Sequence, residues 1–230
     1  MALIDTIALL VFALLWAGYV RITDQSTAFG RVSLSKLMVE RRRAWIMNSL
    51  NRDLKMIDTQ IIAGLQAGTA FFASTCIFAL GGCFALLGRA AEAYALFDDL
   101  PYFFQGGRSA FELKVVGLTC LFGYAFFKFG WSYRLFNYCS ILVGAIPMMH
   151  ETKEDRAAAV KAAERAVRMN VVAAKHFNAG LRTIFLSIGY LGWFVSPYAL
   201  MTLTAFVIFV LIRRQFFSEA RDALMIETAS

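Results

Sequence analysis

The side chains in this sequence with the greatest capacity for chemistry are polar groups inside a long apolar run. Lys128 and Arg134 interrupt a run that extends from about 115 to 149, and Ser132 and Asn137 lie on neighbouring turns. An ionisable group within a bilayer costs free energy unless it is paired, hydrated or able to reach the interface. These four side chains are therefore our candidate intramembrane polar site.

Two interpretations of Lys128 remain open at the level of sequence. Its ammonium group could line an aqueous path, bind an anion or anchor a salt bridge, which would give it a functional role. Alternatively, its long alkyl stem could let the charge snorkel to the cytoplasmic interface. For Arg134 we favour an anchor to lipid headgroups, because it lies nearer the cytoplasmic end of the run.

A second polar group falls in the connections that we predict to be cytoplasmic. Asp53 and Asp58 follow a basic stretch, and Asn178 and Arg182 follow an alanine-rich one. Because carboxylates pair readily with guanidinium groups, we predict a cytoplasmic polar network from these four residues.

Four glycines occupy positions typical of helix packing. Gly64 and Gly68 open one apolar run, and Gly189 and Gly192 open another. Small residues allow helices to approach closely in lipid. We therefore predict that these glycines lie at helix contacts, which favours packing within the chain and leaves contact between copies as the alternative.

No constellation typical of catalysis is present in the sequence. His150 and His176 lie far apart and have no cysteine or acid at ligand spacing, and the cysteines form no C-x-x-C pair. Cys83 and Cys120 could form a disulfide if their helices are adjacent, but buried free thiols are favoured. Phosphate-loop, nucleophile-elbow and dinucleotide motifs are missing as well. We expect no enzyme activity, no metal and no cofactor.

The elements that carry these residues are predicted from composition and run length. The chain has 230 residues, of which 59% are hydrophobic and 17% are charged; a globular chain averages about 25% charged residues. Runs at 3–20, 61–87, 115–140 and 184–212 are long enough to cross a bilayer as helices. They lack the alternation of a β-barrel. The sequence predicts an all-α integral membrane protein with four transmembrane helices in one domain.

Several of these helices are predicted to extend beyond the bilayer, since their runs exceed its thickness. Apolar periodicity at 34–60 and at 154–178 predicts two amphipathic cytoplasmic helices, which cover the ends of the spans or lie against headgroups. Residues 213–230 are predicted to form a C-terminal tail, and Ser196-Pro197 predicts a kink in the last span. The first run is expected to be an anchor rather than a signal peptide, because basic residues follow it and none precedes it.

Basic residues predict the orientation of the chain. The connections after the first and third spans carry fifteen of them, against six in the other segments outside the spans. The positive-inside rule therefore predicts that both termini lie on the non-cytoplasmic side of a bacterial inner membrane. Arg213, Arg214 and Arg221 fit this orientation poorly. The net charge is +7, and most basic residues lie in the connections between apolar runs. This distribution favours membrane lipids over nucleic acid as partners.

Several segments resemble the domain of unknown function 599 family of bacterial and plant membrane proteins, over about residues 1–220. They are Arg43-Ala-Trp-Ile-Met47, Ile57-Asp-Thr-Gln60, Phe71-Phe-Ala-Ser74, Phe126-Phe-Lys-Phe-Gly-Trp-Ser-Tyr-Arg-Leu-Phe-Asn-Tyr138, Phe177-Asn-Ala-Gly-Leu-Arg182 and Trp193-Phe-Val195. The resemblance implies a compact four-span membrane protein and carries no activity with it. It places Lys128, Trp131, Ser132, Arg134, Asn137, Asn178 and Arg182 within family signatures.

Two functions are compatible with this sequence, and of the two we favour the first. The first is a homo-oligomeric channel or transport-type pore for small solutes or ions, in which Lys128 and Ser132 face water. The second is a non-catalytic accessory or scaffolding subunit of a larger membrane complex. It predicts that the polar groups are satisfied inside the fold.

Overall fold

The computed structural model describes residues 3–24, 27–98, 107–147 and 153–225, and these are almost entirely helical. The helices are α1 Leu3–Asp24, α2 Leu34–Asn48, α3 Met56–Gly88, α4 Ala90–Asp98, α5 Gly107–Gly144, α6 Lys153–Leu191, α7 Pro197–Phe216 and α8 Glu219–Met225. Single 3₁₀ turns cover Ser49–Asn51 and Gly192–Phe194, and strands β1 (Thr27–Ala28) and β2 (Arg31–Val32) form an antiparallel hairpin. The all-α prediction is confirmed.

Four helical segments are long and apolar enough to cross a membrane. They are Leu3–Thr23, Met56–Gly88, Gly107–Gly144 and Pro197–Met225. The first three contain the apolar runs predicted at 3–20, 61–87 and 115–140, and the second and third extend well beyond them. The fourth begins later than predicted.

The apolar run at 184–212 is divided between two helices, which differs from the single span that we predicted. Helix α6 continues unbroken through the segment predicted as a separate helix at 154–178 and ends at Leu191. A new helix then begins at Pro197, where the Ser196 side chain accepts a hydrogen bond from the Ala199 N–H at 3.0 Å. Serine at the N-cap followed by proline in the first turn is a strong helix start. The predicted kink is therefore a complete break.

Two other predicted boundaries differ from the structure. The helix expected at 34–60 ends at Asn48, and α3 begins at Met56. Leu50 and Leu54 continue the apolar periodicity through this break, so the pattern could not reveal it. In the predicted tail at 213–230, α7 continues to Phe216 and α8 follows.

Contacts divide the chain into two compact units, where the sequence predicts one domain. Unit 1 comprises Met1–Leu34, Cys76–Ala125 and Leu181–Ser230. Unit 2 comprises Ser35–Thr75 and Phe126–Gly180. Helices α3, α5 and α6 contribute residues to both units, and each unit has its own apolar core.

Within unit 1, α1 and α7 lie side by side and run in the same direction. The Trp193 indole, just before α7, donates a hydrogen bond to Asp5 near the start of α1. At the other end, the ring of Phe29, which follows α1, lies 5.8 Å from the ring of Phe216. The start of α1 and the end of α7 are therefore at opposite ends of unit 1. This arrangement does not support our prediction that both termini lie on the same side.

Candidate functional site

Ser132, in the predicted intramembrane site, is used inside unit 2. The side chain is fully buried, and its hydroxyl donates a hydrogen bond to the Ala173 carbonyl of α6 at 2.8 Å. This bond links α5 to α6. The hydroxyl therefore holds two helices together within the fold.

Arg134 and Asn137 lie on an exposed face of α5, apart from Ser132. Arg134 Nε donates a hydrogen bond to the Tyr138 hydroxyl at 2.7 Å, one turn along the same helix. Asn137 Oδ1 accepts a hydrogen bond from Gln66 Nε2 of α3 at 2.8 Å. The structure thus does not gather the four predicted side chains into one site.

Lys128 is half-buried in unit 2 and lies near His176 of α6. Burial lowers the pKa of the His176 imidazole below its ordinary value, and the Lys128 ammonium lowers it further. No pattern in the sequence indicates that these two residues are neighbours, because they come from different helices. His150 lies outside the described residues.

Of the four residues predicted to form a cytoplasmic network, Asp58 is the buried one, and the partners that it bonds lie outside that set. Asp58 is fully buried, and its Oδ1 accepts hydrogen bonds from Trp45 Nε1 at 2.8 Å and from the Arg52 guanidinium. Asp53 and Asn178 are exposed. Arg182 belongs to unit 1, where it bonds Thr23.

Lys55, next to this cluster, caps the end of α5. Its ammonium donates a hydrogen bond to the Ile146 carbonyl at 2.8 Å. Burial lowers the pKa of Lys55, and the Asp58 carboxylate opposes that shift. A cation beside the last carbonyls of a helix is stabilising because the C-terminus carries partial negative charge.

Asn170 is a fully buried polar residue in unit 2 that the sequence analysis missed. Its Oδ1 accepts a hydrogen bond from Arg42 at 2.6 Å, and its Nδ2 donates one to Cys139 Sγ at 3.5 Å. Burial lowers the pKa of Arg42. The sequence signal was an asparagine on the apolar face that Val167 and Val171 define.

A second missed cluster is buried in unit 1, where Asp5, Lys114 and Trp193 meet. Asp5 is 2% exposed and Lys114 is 4% exposed. Trp193 Nε1 donates to Asp5 Oδ1 at 2.9 Å, Lys114 Nζ donates to the Trp193 carbonyl at 2.7 Å, and the Asp5 carboxylate attracts the ammonium. This cluster ties α1 and α5 to the turn between α6 and α7.

The four predicted packing glycines fall into two pairs. A Cβ on Gly189 would lie 2.9 Å from Thr204 Cα, and one on Gly192 would lie 2.7 Å from the Ala199 carbonyl oxygen. These two glycines allow α6 and α7 to pack closely as an antiparallel pair. Gly64 and Gly68 have no atom within 4 Å of that position, so they make no such contact in the described chain.

Replacing Gly189 by alanine is expected to lower the stability of the protein by about 1–3 kcal/mol, as overpacking does. The new methyl group would meet backbone atoms of α7, which cannot move aside independently. Gly64→Ala is the matched control, and we expect it to be neutral or stabilising by up to about 1 kcal/mol through helix propensity. Thermal unfolding in detergent measures both. Equal effects of the two changes would contradict the packing assignment.

All four cysteines are free thiols: Cys76, Cys83 and Cys139 are buried, whereas Cys120 is exposed. Within the described ranges, no group of three or more histidine, cysteine, aspartate or glutamate side chains is placed to hold a metal ion. The buried polar residues Ser132, Asn170 and Lys114 share one role, which is to link separate segments of the chain through hydrogen bonds.

Long apolar helices joined by buried polar links define an α-helical integral membrane protein. The family described as protein of unknown function DUF599 matches residues 7–220, and the chain belongs to that family. No curated protein and no solved structure matches the chain.

Proposed function

We propose that this protein is a non-catalytic accessory or scaffolding subunit of a larger membrane complex. The observation that supports this role is the internal use of its buried polar groups. Ser132 bonds Ala173, Lys114 bonds Trp193, and Asn170 bonds both Arg42 and Cys139. Across the described ranges, the buried side-chain nitrogen and oxygen atoms without a hydrogen bond are Asp58 Oδ2 and Thr204 Oγ1.

A transport path requires polar groups that face water along its length. Side chains that already bond each other cannot replace the hydration shell of a permeating ion. They instead fix the arrangement of the helices, which is what a scaffold requires. The apolar outer faces then serve for contact with lipid and with other subunits.

A homo-oligomeric pore is the second candidate, and one observation favours it. Gln66, Asn137 and Arg134 place polar groups on outward faces of α3 and α5, within segments long enough to cross the bilayer. Such groups would face water if several copies enclosed a path between them. This candidate needs a closed assembly, whereas the scaffold does not.

Mass measurement in mild detergent and flux in liposomes distinguish the two candidates. For a scaffold we expect a monomer or a larger complex with other subunits, and no ion flux above that of empty liposomes. A symmetric oligomer whose flux is lost in Lys128→Met would overturn the scaffold. Lys175→Met, at an exposed lysine of unit 2, is the matched control and should leave any flux unchanged.

We further propose that the start of α1 faces the non-cytoplasmic side of a bacterial inner membrane and that the end of α7 faces the cytoplasm. Both helices have the length of a bilayer and run in parallel. In unit 1, the end with the α1 start holds Arg89, Arg108 and Lys114. The opposite end holds Arg21, Arg31, Arg182, Arg213, Arg214 and Arg221. The positive-inside rule favours the second end as cytoplasmic.

A further inference from the structure

The hairpin of strands β1 and β2 carries an aromatic side chain at its tip. Its two turn residues, Phe29 and Gly30, have positive φ angles of 56° and 67°, as the central residues of a type I′ turn do. Such a turn favours asparagine or glycine, and a bulky residue there strains the backbone. Phe29 is 63% exposed, so burial within the described chain does not account for a phenylalanine at this position.

The tip of the hairpin packs against the end of α7. The centre of the Phe29 ring lies 5.8 Å from that of the buried Phe216 and 6.2 Å from that of Phe217, which is 47% exposed. The guanidinium carbon of Arg31, an exposed residue, lies 4.7 Å from the centre of the Phe217 ring. Phe29, Phe217 and Arg31 therefore form one exposed surface, which we call the hairpin patch.

Arg221 of α8 fixes the hairpin in this position. Its side chain is buried, and its Nε donates a hydrogen bond to the Val32 carbonyl of β2 at 2.9 Å. Its Nη1 donates a second one to Asp222 Oδ1 at 2.7 Å. A buried guanidinium that loses such partners loses free energy, because its N–H groups are then neither hydrated nor bonded. The hairpin is therefore held against α8, and the fold itself sets the direction in which the patch faces.

The hairpin patch lies where two apolar helices of bilayer length end. Helix α7 has 20 residues and ends at Phe216, and its length of about 30 Å matches the hydrocarbon core of a bilayer. Helix α1 has 22 residues, and Phe29 follows its last residue by five positions. Because the Phe29 ring contacts the last residue of α7, the patch lies at the boundary between acyl chains and headgroups.

We propose that the hairpin patch inserts the rings of Phe29 and Phe217 into the interfacial layer of the bilayer. Insertion removes apolar ring surface from water, which offsets the backbone strain at Phe29. Aromatic rings beside a basic side chain are typical of surfaces that bind this layer. A protein could also cover two rings, but lipid is favoured because the patch is continuous with two segments that are long and apolar enough to cross the bilayer. The inference depends neither on the scaffold role nor on which end of unit 1 is cytoplasmic.

Photocrosslinking of the full chain in phosphatidylcholine nanodiscs tests this proposal, because a zwitterionic lipid removes attraction by net charge. The photoreactive residue p-benzoylphenylalanine replaces Phe29 in one variant and Phe217 in a second, so that the test does not depend on the folding of either one. It retains an aromatic ring, and mass spectrometry then measures the lipid adduct at each position. We expect at least about fivefold more lipid adduct at Phe29 and Phe217 than at Glu219, an exposed acidic position at the start of α8.

Phe209, which is 62% exposed within α7, is the positive reference and should give a lipid adduct yield comparable with that at Phe29. Yields at Phe29 and Phe217 no higher than the yield at Glu219 would overturn the proposal, because the hairpin would then lie in water. The same variants are irradiated in native membranes, where we again expect lipid adducts. Adducts of Phe29 with another protein in place of lipid would overturn the proposal in favour of a protein docking surface.

Discussion

Asp5→Leu is expected to remove about 3–5 kcal/mol of stability, because it takes away a buried carboxylate whose charge attracts the buried Lys114 ammonium. Lys114 would remain buried at 4% exposure and would lose the attraction of the Asp5 carboxylate. The Trp193 indole N–H would lose its acceptor at the same time. Since the cluster joins α1, α5 and the α6–α7 turn, we expect the loss to appear as cooperative destabilisation of unit 1.

A double-mutant cycle in detergent checks this prediction. The second variant, Asp5→Leu with Lys114→Met, should recover much of the stability, because replacing a whole buried pair by apolar residues is often neutral. Asp53→Leu is a matched control at an exposed aspartate and should change stability by less than about 0.5 kcal/mol. Additive effects of Asp5→Leu and Lys114→Met would contradict the coupling that we infer.

The position of this cluster shows what the sequence could and could not predict. Hydropathy revealed the four apolar segments because lipid imposes a length and a composition on each helix. The same method places Asp5 and Lys114 at the ends of two different runs and contains no information about which helices are neighbours. Spatial contacts between distant segments are therefore beyond a periodicity argument.

Ser132, Arg134 and Asn137 are predicted from the sequence to share one site with Lys128, which the structure does not reproduce. They lie within two turns of one helix, but Ser132 bonds α6 whereas Asn137 bonds α3. Spacing along a helix gives the angle between side chains and not the identity of the helix that each one meets. For the glycines the limit is similar, because Gly64 and Gly189 each begin a pair of nearby glycines in an apolar run and have different surroundings.

The two orientations, the one that the sequence predicts and the one that we propose, differ in how they treat the run at 184–212. Counting this run once gives an even number of crossings and places both termini on one side. The structure divides it at Ser196, where α7 begins antiparallel to the end of α6. With this division, the basic end of unit 1 includes Arg213, Arg214 and Arg221. These three arginines fit the orientation predicted from the sequence poorly, and they fit the orientation that we propose.

Cysteine accessibility is expected to give an all-or-none test of this orientation. In a variant without the four native cysteines, we place single cysteines at Leu3, at Arg108 and at Glu219, all of which are exposed. A membrane-impermeant maleimide applied to intact spheroplasts should label the first two positions and not the third. Permeabilised spheroplasts should show labelling at all three, which controls for accessibility in the fold.

The labelling of the cysteine at Glu219 distinguishes the two orientations, because they predict opposite results at this position. If both termini faced outward, the cysteine at Glu219 would be labelled in intact spheroplasts to the same extent as the one at Leu3. A C-terminal green fluorescent protein, which becomes fluorescent in the cytoplasm, should be bright in our orientation. Labelling at Glu219 together with a non-fluorescent C-terminal fusion would show that α1 and α7 do not both cross the bilayer in parallel. The basic end of unit 1 could then not be assigned to the cytoplasm.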